Sequence, residues 1–251
     1  NSWLMPTNAN AEANRVSNYS LDFDGTSQYI SINSSILSAA GDMTVSAWVK
    51  FNDTTSLQGI FESANYYTTG FNGGFGLRAN GIGLSAAFSN GTSFDYNIEP
   101  AGFTIGNWFQ VAFTFNNTSK LGTYYVDGSS IGTYTFNSAY DNADLVNGAE
   151  LGRVIKNSGF ILNGNLTEVS IFDYELSAPQ VTELYGTGSA IGNPMAITNG
   201  RKPVAYYPLG NSAFNGEFLV PNGAEKDFVF DFTASNYIST PHISISGGFT
   251  A

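Results

Sequence analysis

The sequence contains no cysteine. Disulfide scaffolds, thiolate metal sites and cysteine nucleophiles are thereby excluded. Histidine is nearly as scarce. His242 is the single one and stands close to the C-terminus, so no Ser-His-Asp triad is available within residues 15–185, and histidine-based zinc chemistry fails on the same count. Charge is sparse too: 12% of residues are charged, and nine bases against 20 acids leave a net charge of −11. That balance argues against nucleic acid as a partner, because phosphate binding needs clustered Lys and Arg. Apolar runs are short and broken by Gly, Asn, Ser or Thr, far from the roughly 20 apolar residues of a spanning helix, so no membrane insertion is expected. The first residue is Asn1 rather than Met, which reads as processing or an incompletely known sequence.

Polarity is carried instead by Asn, Ser, Thr and Gly. With 20 Phe and 14 Tyr alongside 28 Gly, this is the composition of many short strands joined by tight turns. The acidity reads as a solvated surface. Period-2 segments recur along the chain. Residues 20–23 and 29–32 flank Asp24-Gly25, a dipeptide favoured in hairpin turns. Residues 43–51 (MTVSAWVKF) put Met43, Val45, Ala47, Val49 and Phe51 on one face and Trp48 on the other. Residues 59–62, 74–78, 83–88, 108–115, 122–126, 131–136, 150–152 and 164–172 read as further strands, with Asp127-Gly128 as a second turn. A single helix is expected near 178–185, capped by Ser177 with Pro179 in its first turn.

The end of the chain repeats its beginning. Residues 18–31 (NYSLDFDGTSQYIS) return as 227–239 (DFVFDFTASNYIS), with Asp22-Phe23 matching Asp231-Phe232. Such a repeat says that one unit ends near residue 200 and another begins. Either the chain is a piece of a tandem array, or its last segment completes the first unit from behind.

The ordered set 21–25 (LDFDG), 43–49 (MTVSAWV), 108–113 (WFQVAF), 125–128 (YVDG), 151–153 (LGR) and 164–177 (GNLTEVSIFDYELS) resembles the laminin-G-like jelly rolls of the concanavalin A-like lectin/glucanase superfamily, of the tandem type found in structural proteins of marine phages. The resemblance implies an all-β, antiparallel two-sheet jelly-roll sandwich with one short C-terminal helix. It divides the chain into a lead-in (1–14), the jelly roll (15–185), a linker (186–202) and residues 203–251, which are the opening strands of a second, incomplete repeat or an assembly arm. Residues 203–210 (PVAYYPLG) resemble the strand that opens such a domain. An opening strand missing from the first unit would leave an edge to fill. Val204, Tyr206, Tyr207 and Leu209 then form the assembly strand, folding back on their own chain or, the favoured reading, pairing with the next copy.

Relatives in this superfamily include glycoside hydrolases, which need two carboxylates on one strand, commonly Glu-x-Asp-x-x-Glu. No such string occurs, and the chain is expected to be no enzyme. Calcium is the one cofactor in view. Asp24 is the candidate ligand that the resemblance implies, although Thr167 stands where the family's last strand usually carries Asp. Glycan binding needs aromatic faces and amide partners on loops at the rim. The candidates are Tyr66, Tyr67, Phe71, Asn72, Tyr96, Asn97, Tyr140 and Asn142. Two functions follow: a non-enzymatic structural or adhesion module on a virion or cell surface, contacting glycans and other copies of itself or other structural proteins, or a carbohydrate-binding accessory domain of a larger enzyme. Both place the protein outside the cell.

Overall fold

The computed structural model describes residues 20–32, 36, 41–63, 74–89, 94–136, 149–154, 160–187 and 191–209. The chain divides into two units, residues 1–215 and 216–251. The second unit, with the repeat at 227–239 and His242, lies outside the described residues.

Among its described residues the first unit holds thirteen strands in two antiparallel sheets. The first sheet runs β1 (Leu21–Asp24), β12 (Asn163–Phe172), β3 (Met43–Phe51), β8 (Trp108–Asn116), β9 (Leu121–Val126) and β10 (Ser129–Thr135), with β13 (Ala205–Tyr207) also on β12. The second runs β2 (Ile30–Ile32), β11 (Ala149–Leu151), β4 (Leu57–Ser63), β5 (Gly74–Asn80), β6 (Gly83–Ser89) and β7 (Phe94–Pro100). Alternation decides which side chains meet between the sheets. Met43, Val45, Ala47, Val49 and Phe51, with Phe113 and Phe115 of the adjacent β8, meet Phe75, Leu77, Leu84 and Phe88 of the second sheet in one core cluster. Rings at 4.6 Å (Phe88–Phe115) and 5.4 Å (Phe75–Phe113) fill its centre, and each buried Phe contributes about 2–3 kcal/mol. Gly122 makes room for them, since a Cβ there would come within 2.5 Å of Phe113 Cζ.

The two Asp-Gly turns behave differently. Asp127 and Gly128 both take positive φ (50° and 73°) between paired strands β9 and β10, which is the two-residue hairpin expected. Asp24-Gly25 is not a hairpin: β1 pairs β12 in one sheet and β2 pairs β11 in the other. The Gly25 N–H goes to Leu162 O at 3.0 Å, so the turn carries the chain across the sandwich rim.

The helix α1 (Ala178–Tyr185) forms where expected. Its Gln180 Oε1 accepts from the Ser177 N–H at 3.0 Å, and Val181 and Leu184 pack on Ala112, Tyr125, Phe172 and Leu176, on the outer face of the first sheet. Residues 191–202, expected as a linker, form a strap pinned to that face. Gly192 N donates to Leu184 O (3.1 Å), the Thr198 hydroxyl to Glu183 (2.9 Å) and the Tyr174 hydroxyl to Arg201 O (2.9 Å).

The strap delivers β13 to β12 of its own chain, with Tyr207 opposite Val169 and Ala205 opposite Ile171. This is the fold-back alternative and not the intersubunit pairing favoured from sequence. Tethering by the strap explains it, because a strand held beside its acceptor pairs there at high effective concentration. Tyr207 and Leu209 pack on the core, while Val204 is exposed. β1 and β13 thus lie end to end along one edge of β12, on either side of a bulge between Thr167 and Ser170 where Glu168 takes φ 54°. Glu168 is buried there and accepts the Tyr206 hydroxyl.

Candidate functional site

Two sheet edges meet along β7 and β10 and define a candidate binding edge. Sequence 94–100 (FDYNIEP), read above in part as a rim loop, is an edge strand because it alternates with period 2. Its polar set points inward. The Tyr134 hydroxyl donates to Asp95 Oδ1 at 3.2 Å and Asn97 Nδ2 donates to Glu99 Oε1 at 2.7 Å. The Glu99 carboxylate lies over Gly132, where a Cβ would collide with it. Beneath them Tyr124 is buried, and desolvation pushes its hydroxyl well above the ordinary tyrosine pKa. Inward charges on an edge strand also protect it from pairing with other chains.

The apolar set of β7 therefore points outward. Tyr96 is 53% exposed and Ile98 38%, and Ile82, at the β5–β6 turn beside them, is 57% exposed. Gly83 keeps this platform close, since a Cβ there would come within 2.6 Å of Ile98 Cγ2. Tyr96 remains presented to solvent, whereas Asn97, expected to act with it, faces the opposite way and is engaged by Glu99. Tyr66, Tyr67, Phe71, Asn72, Tyr140 and Asn142 lie outside the described residues.

Sequence reading missed a charge cluster on the outer face of the second sheet. Phe75, Leu77 and Ala79 fill the core, so Gly76 and Arg78 point the other way. Arg78 makes a two-pronged pair with Glu62 across Gly76, through Nε–Oε2 at 2.8 Å and through Nη2–Oε1, and both side chains are buried. Burial pushes the Glu62 carboxyl upward, and the Arg78 guanidinium pulls it back. Alongside, Arg153 pairs with Glu150 through Nε at 2.7 Å and lies 3.3 Å from the Tyr29 ring centroid. Gly76 was the available signal, because a Cβ there would run into the Glu62 carboxylate and Arg78 Nε. These acids are committed to arginines and do not form the facing acid and base of a hydrolase.

Asp24, the calcium ligand that the resemblance implied, sits at the exposed turn after β1. Its Oδ1 accepts from the N–H groups of Thr26 (2.8 Å), Ser27 (2.7 Å) and Gln28 (3.2 Å), and its Oδ2 from the Ser27 hydroxyl (2.8 Å). These bonds, the Ser27 N–H foremost, hold its carboxyl far below the usual range. Three N–H donors crowd Oδ1 while Oδ2 meets one hydroxyl, and among the described residues no group of three or more His, Cys, Asp or Glu gathers that could hold a metal. Calcium needs six to eight oxygens, and the Asp24 carboxylate, with most of its acceptor capacity spent on its own turn, supplies few of them.

Two antiparallel sheets, a short helix across one of them and an aromatic edge define a lectin-like β-sandwich. The family model described as the concanavalin A-like lectin/glucanases superfamily, of laminin G type, matches residues 24–182, more than half of the chain, and the chain belongs to that family. Solved structures with the same fold include a heptameric SAP-like pentraxin from Limulus polyphemus (16% identity, 74% of this chain and 89% of that one, TM-score 0.52). The CBM40 domain of the Ruminococcus gnavus IT-sialidase, bound to α2,3-sialyllactose, matches at 15% identity over 66% of this chain and 95% of that one, with TM-score 0.54. The leech intramolecular trans-sialidase matches at 16% identity over 70% of this chain but 28% of its own, with TM-score 0.55. No curated protein sequence matches the chain. Among the described residues no helix is long and apolar enough to cross a membrane.

Proposed function

We propose that this chain is a non-catalytic glycan-binding domain working outside the cell, on a cell or virion surface. The observation that carries the reading is the Tyr96–Ile98–Ile82 platform, an aromatic ring beside aliphatic groups, held on a strand whose polar side chains are locked underneath. An exposed ring at a rigid edge offers its face to sugar C–H groups at little entropic cost. The carbohydrate-binding name of the CBM40 relative supports the same reading. An accessory role within a larger carbohydrate-active enzyme is the second reading, favoured by the sialidase in which the matched domain is 28% of the chain.

A glycan array probed with the purified chain tests the proposal. Binding should appear, Tyr96→Ala should weaken it about tenfold, and reducing-end assays on the bound glycans should stay at background. Turnover of any bound glycan, or an array with no binding at all, overturns it. A catalytic domain in the flanking sequence would favour the accessory role.

A further inference from the structure

The first sheet carries a second row of chemistry on its outer face. Asp22 of β1 pairs with Asn165 of β12, Asn165 with Lys50 of β3, and Lys50 with Trp108 of β8, so the four residues form one line across four adjacent strands. Phe23, Leu166, Val49 and Phe109, their neighbours in sequence, pack in the core or against it. Period 2 therefore turns all four outward.

Asp22 is exposed, Trp108 is 38% exposed, and Asn165 and Lys50 are half-buried. Lys50 Nζ stands 5.5 Å from the Trp108 ring centroid. The next row of the same face is covered: Trp48 stacks on Tyr185 of α1 at 5.6 Å, and the Thr167 hydroxyl donates to Pro208 O at 2.6 Å. Helix and strap thus stop one row short of Trp108.

Hydrogen-bonding capacity is unspent along this line. Asp24, Asp53, Glu62, Glu150 and Asp173 all engage partners. By contrast, among the described residues no hydrogen bond or ion pair engages the side chains of Asp22, Asn165 or Lys50.

We propose that Asp22, Asn165, Lys50 and Trp108 form a second glycan-binding face, which takes a neutral oligosaccharide laid across the strands. The proposal rests on the glycan-binding reading above and adds a site on the opposite sheet. Strands about 4.8 Å apart place Asp22 and Trp108 about 14 Å from each other, the span of about two to three pyranose rings. The indole supplies a face for ring C–H groups. The ammonium donates, the amide does both and the carboxylate accepts, in the order that a row of sugar hydroxyls can satisfy. Asp22 and Lys50 cancel in charge. In a chain of net charge −11 that leaves a row matched to uncharged sugars and unfavourable to sialates or uronates.

The test uses the full chain with cellotriose, chitotriose and laminaritriose as neutral probes and sialyllactose as the charged comparator. Binding is read by calorimetry, and contact by the Trp108 indole N–H resonance. At least one neutral trisaccharide should bind and shift that resonance. Trp108→Ala should weaken this binding about tenfold, Trp108→Phe should restore part of it, and Tyr96→Ala should leave it unchanged, with circular dichroism confirming that each variant folds. Loss in Tyr96→Ala with no effect of Trp108→Ala overturns the second face and keeps the glycan-binding reading. Binding of sialyllactose alone overturns the neutral-ligand assignment. No binding of any probe overturns the second face, and the broader reading falls with it only if the array is also empty.

Discussion

Asp24 and Asp53 spend their carboxylates on local donors, Asp24 on Thr26, Ser27 and Gln28 and Asp53 on Thr55 and Ser56, and both titrate below the ordinary aspartate value. A carboxyl whose pKa is lower folded than unfolded stabilises the fold above the unfolded value of about 3.9, and that contribution drains away as pH falls further. The melting temperature should therefore drop below about pH 4, and Asp24→Asn with Asp53→Asn should flatten the drop while lowering the plateau at pH 7. Melts from acid to neutral pH, with and without chelator, check this, and chelator should leave every curve unchanged. The Glu62–Arg78 pair makes a separate demand. Removing one partner leaves the other charge buried, so Arg78→Met should cost about 3–5 kcal/mol in urea unfolding, while Glu62→Leu with Arg78→Met should recover most of it. Asp24 was visible in the sequence as a turn former. The ion pair was not, because the register that brings β4 against β5 is a long-range property.

At the scale of elements, the strap and β13 extend the folded unit beyond the end of the recognised family pattern. The reference for testing them is the chain ending after Leu209. Truncation after Thr187 removes β13 and the buried side chains of Pro194, Ile197 and Ala205, and should cost about 3 kcal/mol or more; paired urea titrations would show the difference. Core strands such as Met43–Phe51 were legible because large apolar side chains mark every second position. β7 was not read as a strand, because its apolar set faces solvent and its acids face the seam, the reverse of the usual pattern. The strap hid for another reason: small residues and turn formers look like a linker when the hydrogen bonds that pin them come from residues 174–184.

For the whole molecule, the two-sheet architecture followed from alternation and turn spacing, whereas the pairing of β1 with the far end of the unit had no local signature. The net charge of −11 predicts how binding responds to salt. Affinity for a neutral trisaccharide should stay flat between about 20 and 300 mM NaCl, and affinity for sialyllactose should rise as the protein's field is screened; calorimetry at several salt concentrations checks both.

The shared edge of β12 also sets a timetable. β1 must wait for residues 163–166 and β2 for residues 149–151 before either has its partner. At roughly 5–20 residues per second of synthesis, the growing chain holds β1 unpaired for about 7–28 s and β2 for about 6–24 s. The sandwich closes only when its last long strand leaves the ribosome, so an early stop in translation leaves β1 and β2 without their partners and marks the chain for aggregation or proteolysis.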